Sequence, residues 1–128
     1  MNTIVRFGRW TVIGSLLTRL VALLPKDRTR ILGDKSKGPY LARHRILGTT
    51  DGWALVLHQF LGPDEDPRPH NHPWAAVSLI VSGGYTETRL DSWHRPFVRT
   101  LTAGRLNLIG QHTFHRITDV HGDAWSVL

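Results

Sequence analysis

From Tyr40 to the end of the chain no stretch keeps a helical period. Apolar and polar residues alternate instead in short runs cut by glycine, and this narrows the fold more than any other feature. Residues 40–47 and 53–60 read as strands on either side of a hairpin-type turn, Gly48-Thr-Thr-Asp-Gly52. An acidic loop, Gly62-Pro-Asp-Glu-Asp-Pro67, leads to Val77, Leu79, Ile80 and Val81, and then to Gly83-Gly84, a two-glycine signal for a tight hairpin. Tyr85 to Arg89 alternate on the way back, and residues 90–96 read as a loop. Short strands over 97–101, 105–109, 113–120 and 124–128 complete the count at seven or eight. The expectation is an all-β sandwich or small barrel. The terminal apolar run, Trp125-Ser-Val-Leu128, reads as a paired last strand or as the interior of a strand cut short.

One helix stands in front. Trp10, Ile13, Leu17, Leu20 and Leu24 form a stripe, Thr11, Ser15, Thr18 and Arg19 lie opposite, and Pro25 ends the element. Arg19 interrupts the apolar run and no small-x-small cleavage site follows, which argues against a signal peptide. The run is also too short and too charged for a membrane span. A helix docked on the barrel or on a partner is expected. Residues 26–38 read as a charged connector, so the division is a basic helix and connector over 1–38 and a β-barrel over 39–128.

Charge follows that division. Ten Lys/Arg against two Asp give +8 up to Gly48, and six Arg against eight Asp/Glu give −2 beyond it. The basic leader is expected to be a solvated flank, with contact to an acidic partner, nucleic acid or an anionic membrane surface as the alternative. The chain has no cysteine, which excludes disulfides, thiolate metal sites and thiol nucleophiles, and suits a cytoplasmic location.

Chemistry concentrates at His70-Asn71-His72. On an extended strand residues i and i+2 project from one face, so both imidazoles can reach one ion. The plain alternative is a solvated strand that happens to carry two histidines. Alternation poses a second question. If the two rings point inward, so do Ala76, Ser78, Ile80 and Ser82, and the more apolar Val77, Leu79 and Val81 face out. A bulge at Pro73 would swap the faces; the leading helix or a second subunit would cover the outer one. His58 reads as a hydrogen-bonded core histidine. His44, His94 and His121 read as solvated, and the tryptophans as packing residues. There is no G-x-x-x-x-G-K-[ST], G-x-G-x-x-G or G-x-S-x-G motif.

These strings resemble the two motifs of the cupin superfamily. The first motif sets a His-x-His pair, then a glutamate, then a closing glycine. Here His70, His72 and Gly83 or Gly84 match, while the glutamate position falls on Ala76 or Val77. In the second motif Gly104 matches, Gly110 and His112 stand in the proline and glycine slots, His115 in the histidine slot and Asp119 in the asparagine slot. HNHPW at 70–74, SLIVSGGYTE at 78–87, TFHRI at 113–117 and Trp125 are similar to a narrower group of cupin-like proteins of bacteria and phages with no assigned activity.

The resemblance implies a jelly-roll β-barrel holding one divalent transition metal (Fe, Zn, Ni or Mn) on His70, His72 and His115. His112 is a fourth ligand or, by strand parity, exposed. A three-histidine set resembles that of cupin thiol dioxygenases, so a small-molecule metalloenzyme with dioxygenase-like or isomerase-like chemistry is one expectation. A non-catalytic ligand-binding or assembly module is the other. Arg116, Trp74, Arg89 and Asp119 are the candidate contacts to a small anionic molecule, and a homodimer is a candidate assembly.

Overall fold

The computed structural model describes the chain apart from residues 1, 35–36, 50, 65–67 and 73, with side chains described from Val12 onward, Asp34 excepted. Helix α1 spans Asn2–Ala22; a 3-10 turn at Lys26–Arg28 leads into strand β1, Thr29–Asp34. Then follow β2 (Gly38–Gly48), β3 (Ala54–Phe60), β4 (Ala76–Leu90), β5 (Pro96–Thr102), β6 (Leu106–Ile109) and β7 (His115–Val127). Among the described residues these strands form one antiparallel seven-stranded sheet in the order β1-β2-β3-β7-β4-β5, with β6 on the free edge of β4. The fold is all-β, a jelly roll with a leading helix.

Two long strands make the sheet curl. β4 and β7 pair along most of their length, and the register shifts between Ser82 and Gly84. Gly83 there adopts φ +57°, and a Cβ on it would meet the His121 carbonyl at 2.5 Å. Gly122 faces it at φ +65°. The two glycines therefore make a bulge and bend in a continuous strand pair, not the hairpin expected of Gly83-Gly84. Below the bend β4 pairs with β6 and above it with β5, so one strand spans two faces of the roll. For the same reason the separate strands expected over 113–120 and 124–128 are one strand, whose last residues pair with β3 and β4.

The connector expected over 26–38 also changes character, since Thr29–Asp34 joins the sheet on β2. That added strand buries His44, which was expected to be solvated. Thr29 Oγ1 lies 2.9 Å from His44 Nδ1, and the ring stacks on the fully buried Trp125 with centroids 5.9 Å apart. The interior is Ile80, Tyr85, Leu101 and Ile117, with Phe60 and Val120 packed against them.

Strict alternation holds along the first half of β4. Ser78, Ile80 and Ser82 are buried, while Val77 and Leu79 are exposed beside their β6 partners Leu108 and Leu106. Among the described residues neither the helix nor another element covers this outer apolar face; Pro73 lies outside them. Helix α1 meets β4 and β7 elsewhere, at Gly14, where a Cβ would sit 2.3 Å from Asp123 Oδ2 and 3.2 Å from Ser82 Oγ. Of the expected stripe, Ile13, Leu17 and Leu24 are half-buried, as is Val21, whereas Leu20 is exposed and the Trp10 side chain lies outside the described ones.

Candidate metal centre

The backbone brings distant residues together first. His70 N donates to His115 O and His115 N donates to His70 O, both at 2.8 Å, an isolated antiparallel bridge between the loop before β4 and the start of β7. Such a hydrogen-bonded pair directs both side chains to the same face. His72, two residues along the chain, joins that face as the i, i+2 spacing requires. Its Nε2 lies 3.0 Å from His115 Nε2, and ligand nitrogens of all three rings lie within 4.8 Å of one another. His112, the fourth imidazole weighed as a ligand, lies in the turn between β6 and β7 and is exposed.

Two imidazole nitrogens at 3.0 Å share either a proton or a cation. Burial, then His115 and His70, lowers the His72 pKa to about 4, so its ring is neutral near pH 7. Nitrogens each about 2.0–2.1 Å from one ion at tetrahedral or octahedral angles stand about 2.9–3.3 Å apart. The His72–His115 separation falls in that range and the remaining pairs lie within 4.8 Å, and three neutral imidazoles are a donor set suited to a borderline first-row cation.

Behind His115 stands a carboxylate that sequence reasoning did not assign. Glu87, fully buried on β4, has Oε2 3.1 Å from His115 Nδ1. Its Oε1 accepts from Arg89 Nε at 2.7 Å and Arg99 Nε at 2.8 Å. The Nη2 groups of both arginines donate to Asn107 Oδ1, and Asn107 Nδ2 donates to the Tyr85 hydroxyl at 2.6 Å. Burial by itself would raise the Glu87 carboxyl, but the His115 and Arg99 hydrogen bonds and the charge of Arg89 hold it at about 2. It is therefore a carboxylate, His115 Nδ1 carries the hydrogen, and the Nε2 lone pair is left to face the site. This is the arrangement in which an outer carboxylate fixes a ligand's tautomer and raises its basicity. A second carboxylate, Asp64, approaches the site from the acidic loop. Its backbone pairs with Ile117, its Oδ2 accepts from Ile117 N at 2.9 Å, and Oδ2 lies 3.8 Å from His70 Nε2.

The three histidines line a cavity of about 300 Å3 together with Asp64, Trp74, Arg43 and His58. Trp74 stacks on His72 with ring centroids 4.5 Å apart. Arg43 Nε donates to His58 Nε2 at 3.1 Å, so the lone pair of that fourth pocket imidazole is already used. Burial and then the Arg43 charge push the His58 pKa down to about 3. His58 is the hydrogen-bonded core histidine the sequence led us to expect.

Of the anticipated substrate contacts, Trp74 lines the cavity. Arg89 is drawn instead into the Glu87–Asn107 network, with its Nη2 also on Leu108 O. Arg116 is half-buried on β7 opposite Thr88. Asp119 is exposed next to His121, away from the cavity. Strand parity explains Arg116, which is out of phase with His115 and Ile117; Asp119 is in phase with them, but a register shift between Thr86 and Glu87 intervenes and leaves it exposed. A signal for Glu87 did exist: it shares inward parity with Tyr85 and Arg89. Nothing local distinguished Asp64 from its acidic neighbours.

The fold has counterparts among solved structures. Fe(II) HppE aligns with 81% of this chain at a TM-score of 0.60 and 18% identity. Oxalate decarboxylase of Bacillus subtilis, described for its Mn(II) centres, aligns with 81% at 0.58 and 17%. Oxalate oxidase in complex with glycolate aligns with 75% at 0.53 and 20%. The fold is a cupin fold. The chain spans 57%, 27% and 53% of those three proteins. No protein-family model matches the chain, and no curated protein matches it by sequence. Among the described residues no helix is long and apolar enough to cross a membrane.

Proposed function

We propose that this chain is a cupin metalloprotein that binds one divalent transition metal through His70, His72 and His115 and acts on a small anionic molecule. The observation that carries the reading is the convergence of three imidazoles, with Glu87 holding His115 in the tautomer a ligand needs. The bound ion would contribute Lewis acidity and a bound water of lowered pKa. The protein's own groups do the rest. The His70–His115 backbone bridge holds two rings in register. Glu87 retains the Nδ1 proton, and Trp74 covers one face of His72. No carboxylate stands among the three ligands, so a +2 ion would keep its net charge, while on the cavity wall the positive Arg43 and the negative Asp64 offset one another. Anions are favoured there. The glycolate bound by the oxalate oxidase is a molecule of that class.

The reaction within that class, whether dioxygenase-like or isomerase-like, rests on the cupin fold and the ligand set. The likeness to cupin-like proteins of bacteria and phages rests on the sequence strings, and a cytoplasmic location on the lack of cysteine. The exposed Val77, Leu79, Leu106 and Leu108 favour a homodimer through the outer face of β4 and β6. Protein purified without added metal should carry close to one equivalent of a first-row metal per chain. Zn, Ni or Fe(II) at about 100 times the dissociation constant should stabilise chelator-treated protein by about 2.7 kcal/mol. Metal-free protein whose melting no ion shifts would refute the reading and leave a non-catalytic binding module on this fold.

A further inference from the structure

A second cluster of chemistry lies on strands that carry no metal ligand. Arg30 on β1 and Arg43 on β2 are direct cross-strand partners, and Arg45 stands two residues further along β2 on the face of Arg43. Arg28, on the 3-10 turn, is anchored by its Nη1 donating to Ile46 O at 2.9 Å. All four line a cavity of about 600 Å3, with Trp53 and Trp74 as its aromatic walls and Asp27 as the acidic group.

This arrangement is costly as it stands. Like charges directly opposite one another destabilise a strand pair. Among the described residues no carboxylate, Asp27 included, comes within ion-pair distance of any of the four arginines. Arg45 Nε is buried without a hydrogen-bond partner. An anion between the guanidinium groups would satisfy that donor and turn repulsion into attraction. Planar guanidinium forks match phosphate and carboxylate oxygens, and several converging on one place suit an anion of more than one charge. Trp53, 76% exposed, is no packing residue, so its ring is available to an organic portion.

We propose that this cavity is a phosphate-binding site whose ligand is a phosphorylated small molecule. The cavity shares Arg43, His58, Trp74 and Leu128 with the one around the histidines, so a single molecule can place its phosphate on the arginines and its organic part toward His72. That link rests on the proposed metal function; the phosphate site itself does not. The cavity volume lies in the range of about 300–1,000 Å3 of small-molecule sites, which favours a small ligand over a nucleic-acid strand.

Calorimetric titration of the full chain with inorganic pyrophosphate tests the site. Saturable binding is expected, with or without chelator. Arg30→Gln and Arg45→Gln should each weaken it about tenfold or more, as loss of a charge-assisted hydrogen bond implies. His72→Ala should leave it unchanged. Arg30 is exposed, so its variant tests the proposal even if the Arg45 variant proves unstable on melting. Absence of saturable binding, or Arg30→Gln binding like wild type, overturns the site. Binding that needs both His72 and a metal assigns the anion to the metal centre and overturns it too, without touching the metal reading. A single-stranded oligonucleotide displacing pyrophosphate at far lower concentration overturns the small-molecule assignment.

Discussion

His115 and His58 face one cavity from adjacent strands of the same sheet, both buried, yet their company is opposite. His115 has the Glu87 carboxylate on Nδ1 and its Nε2 directed at two other imidazoles. His58 has the Arg43 guanidinium donating into its Nε2 and an edge-on Phe60 beside it. Identical side chains at similar depth thus become a candidate ligand in one case and a neutral acceptor in the other. What separates them is which nitrogen is spoken for, and by which charge. The difference also accounts for a three-histidine site in a cavity that holds four imidazoles.

The comparison can be broken most directly by truncation. His115→Ala should abolish metal uptake, whereas His58→Ala should leave close to one equivalent bound; equal losses in metal analysis would erase the distinction. Glu87→Ala leaves the largely buried Arg89 and the partly exposed Arg99 without their counter-charge, and should cost about 3 kcal/mol in urea unfolding, the low end for a broken buried pair because water reaches Arg99. Glu87→Gln keeps the shape while releasing the His115 tautomer. It should weaken metal affinity about 10–100-fold in competition with a chelator.

The pH dependence sharpens the same contrast. The His58 pKa falls from 6.5 to about 3 on folding, so the unfolded chain alone takes up that proton as pH drops below 6.5. Stability is therefore lost progressively from about pH 6.5 toward 3. Glu87, held at about 2 from 4.5, adds a loss that begins near pH 4.5 and is complete below about 2. A His58→Leu variant should show a shallower fall in urea midpoint between pH 7 and pH 4, and an unchanged slope would show that His58 does not enter folding as a buried neutral ring. Gly83→Ala should cost at least about 1–2 kcal/mol from its left-handed backbone alone, with the His121 carbonyl in the way. The smallest effect belongs to exposed His112. Its alanine variant should stay within about 0.5 kcal/mol of wild type and bind metal normally.

Much of the site was legible because strand parity is a local property. His70 and His72 share a face by spacing alone, and the inward set of Ser78, Ile80 and Ser82 follows from the same rule. Gly83-Gly84 misled for an equally physical reason: two glycines permit a left-handed backbone but do not say whether the chain reverses or merely bends. The pairing of β4 with β7 decides that, and β7 lies more than thirty residues away along the chain. His44 was misjudged because its burial depends on β1, whose own sequence reads as a charged connector.

By itself the sequence determined the fold class, the absence of thiol chemistry, the His70–His72 pair and the basic character of the first third. These depend on residue type, on the two-residue period of a strand and on charge, all of which are local. Only the tertiary structure decided that His115 meets that pair, that Glu87 orients it, that Arg43 occupies His58, and that Arg30, Arg43 and Arg45 share a wall. Each of these is a contact between strands distant in sequence. Register between such strands is set by the whole sheet, and no short stretch of chain encodes it.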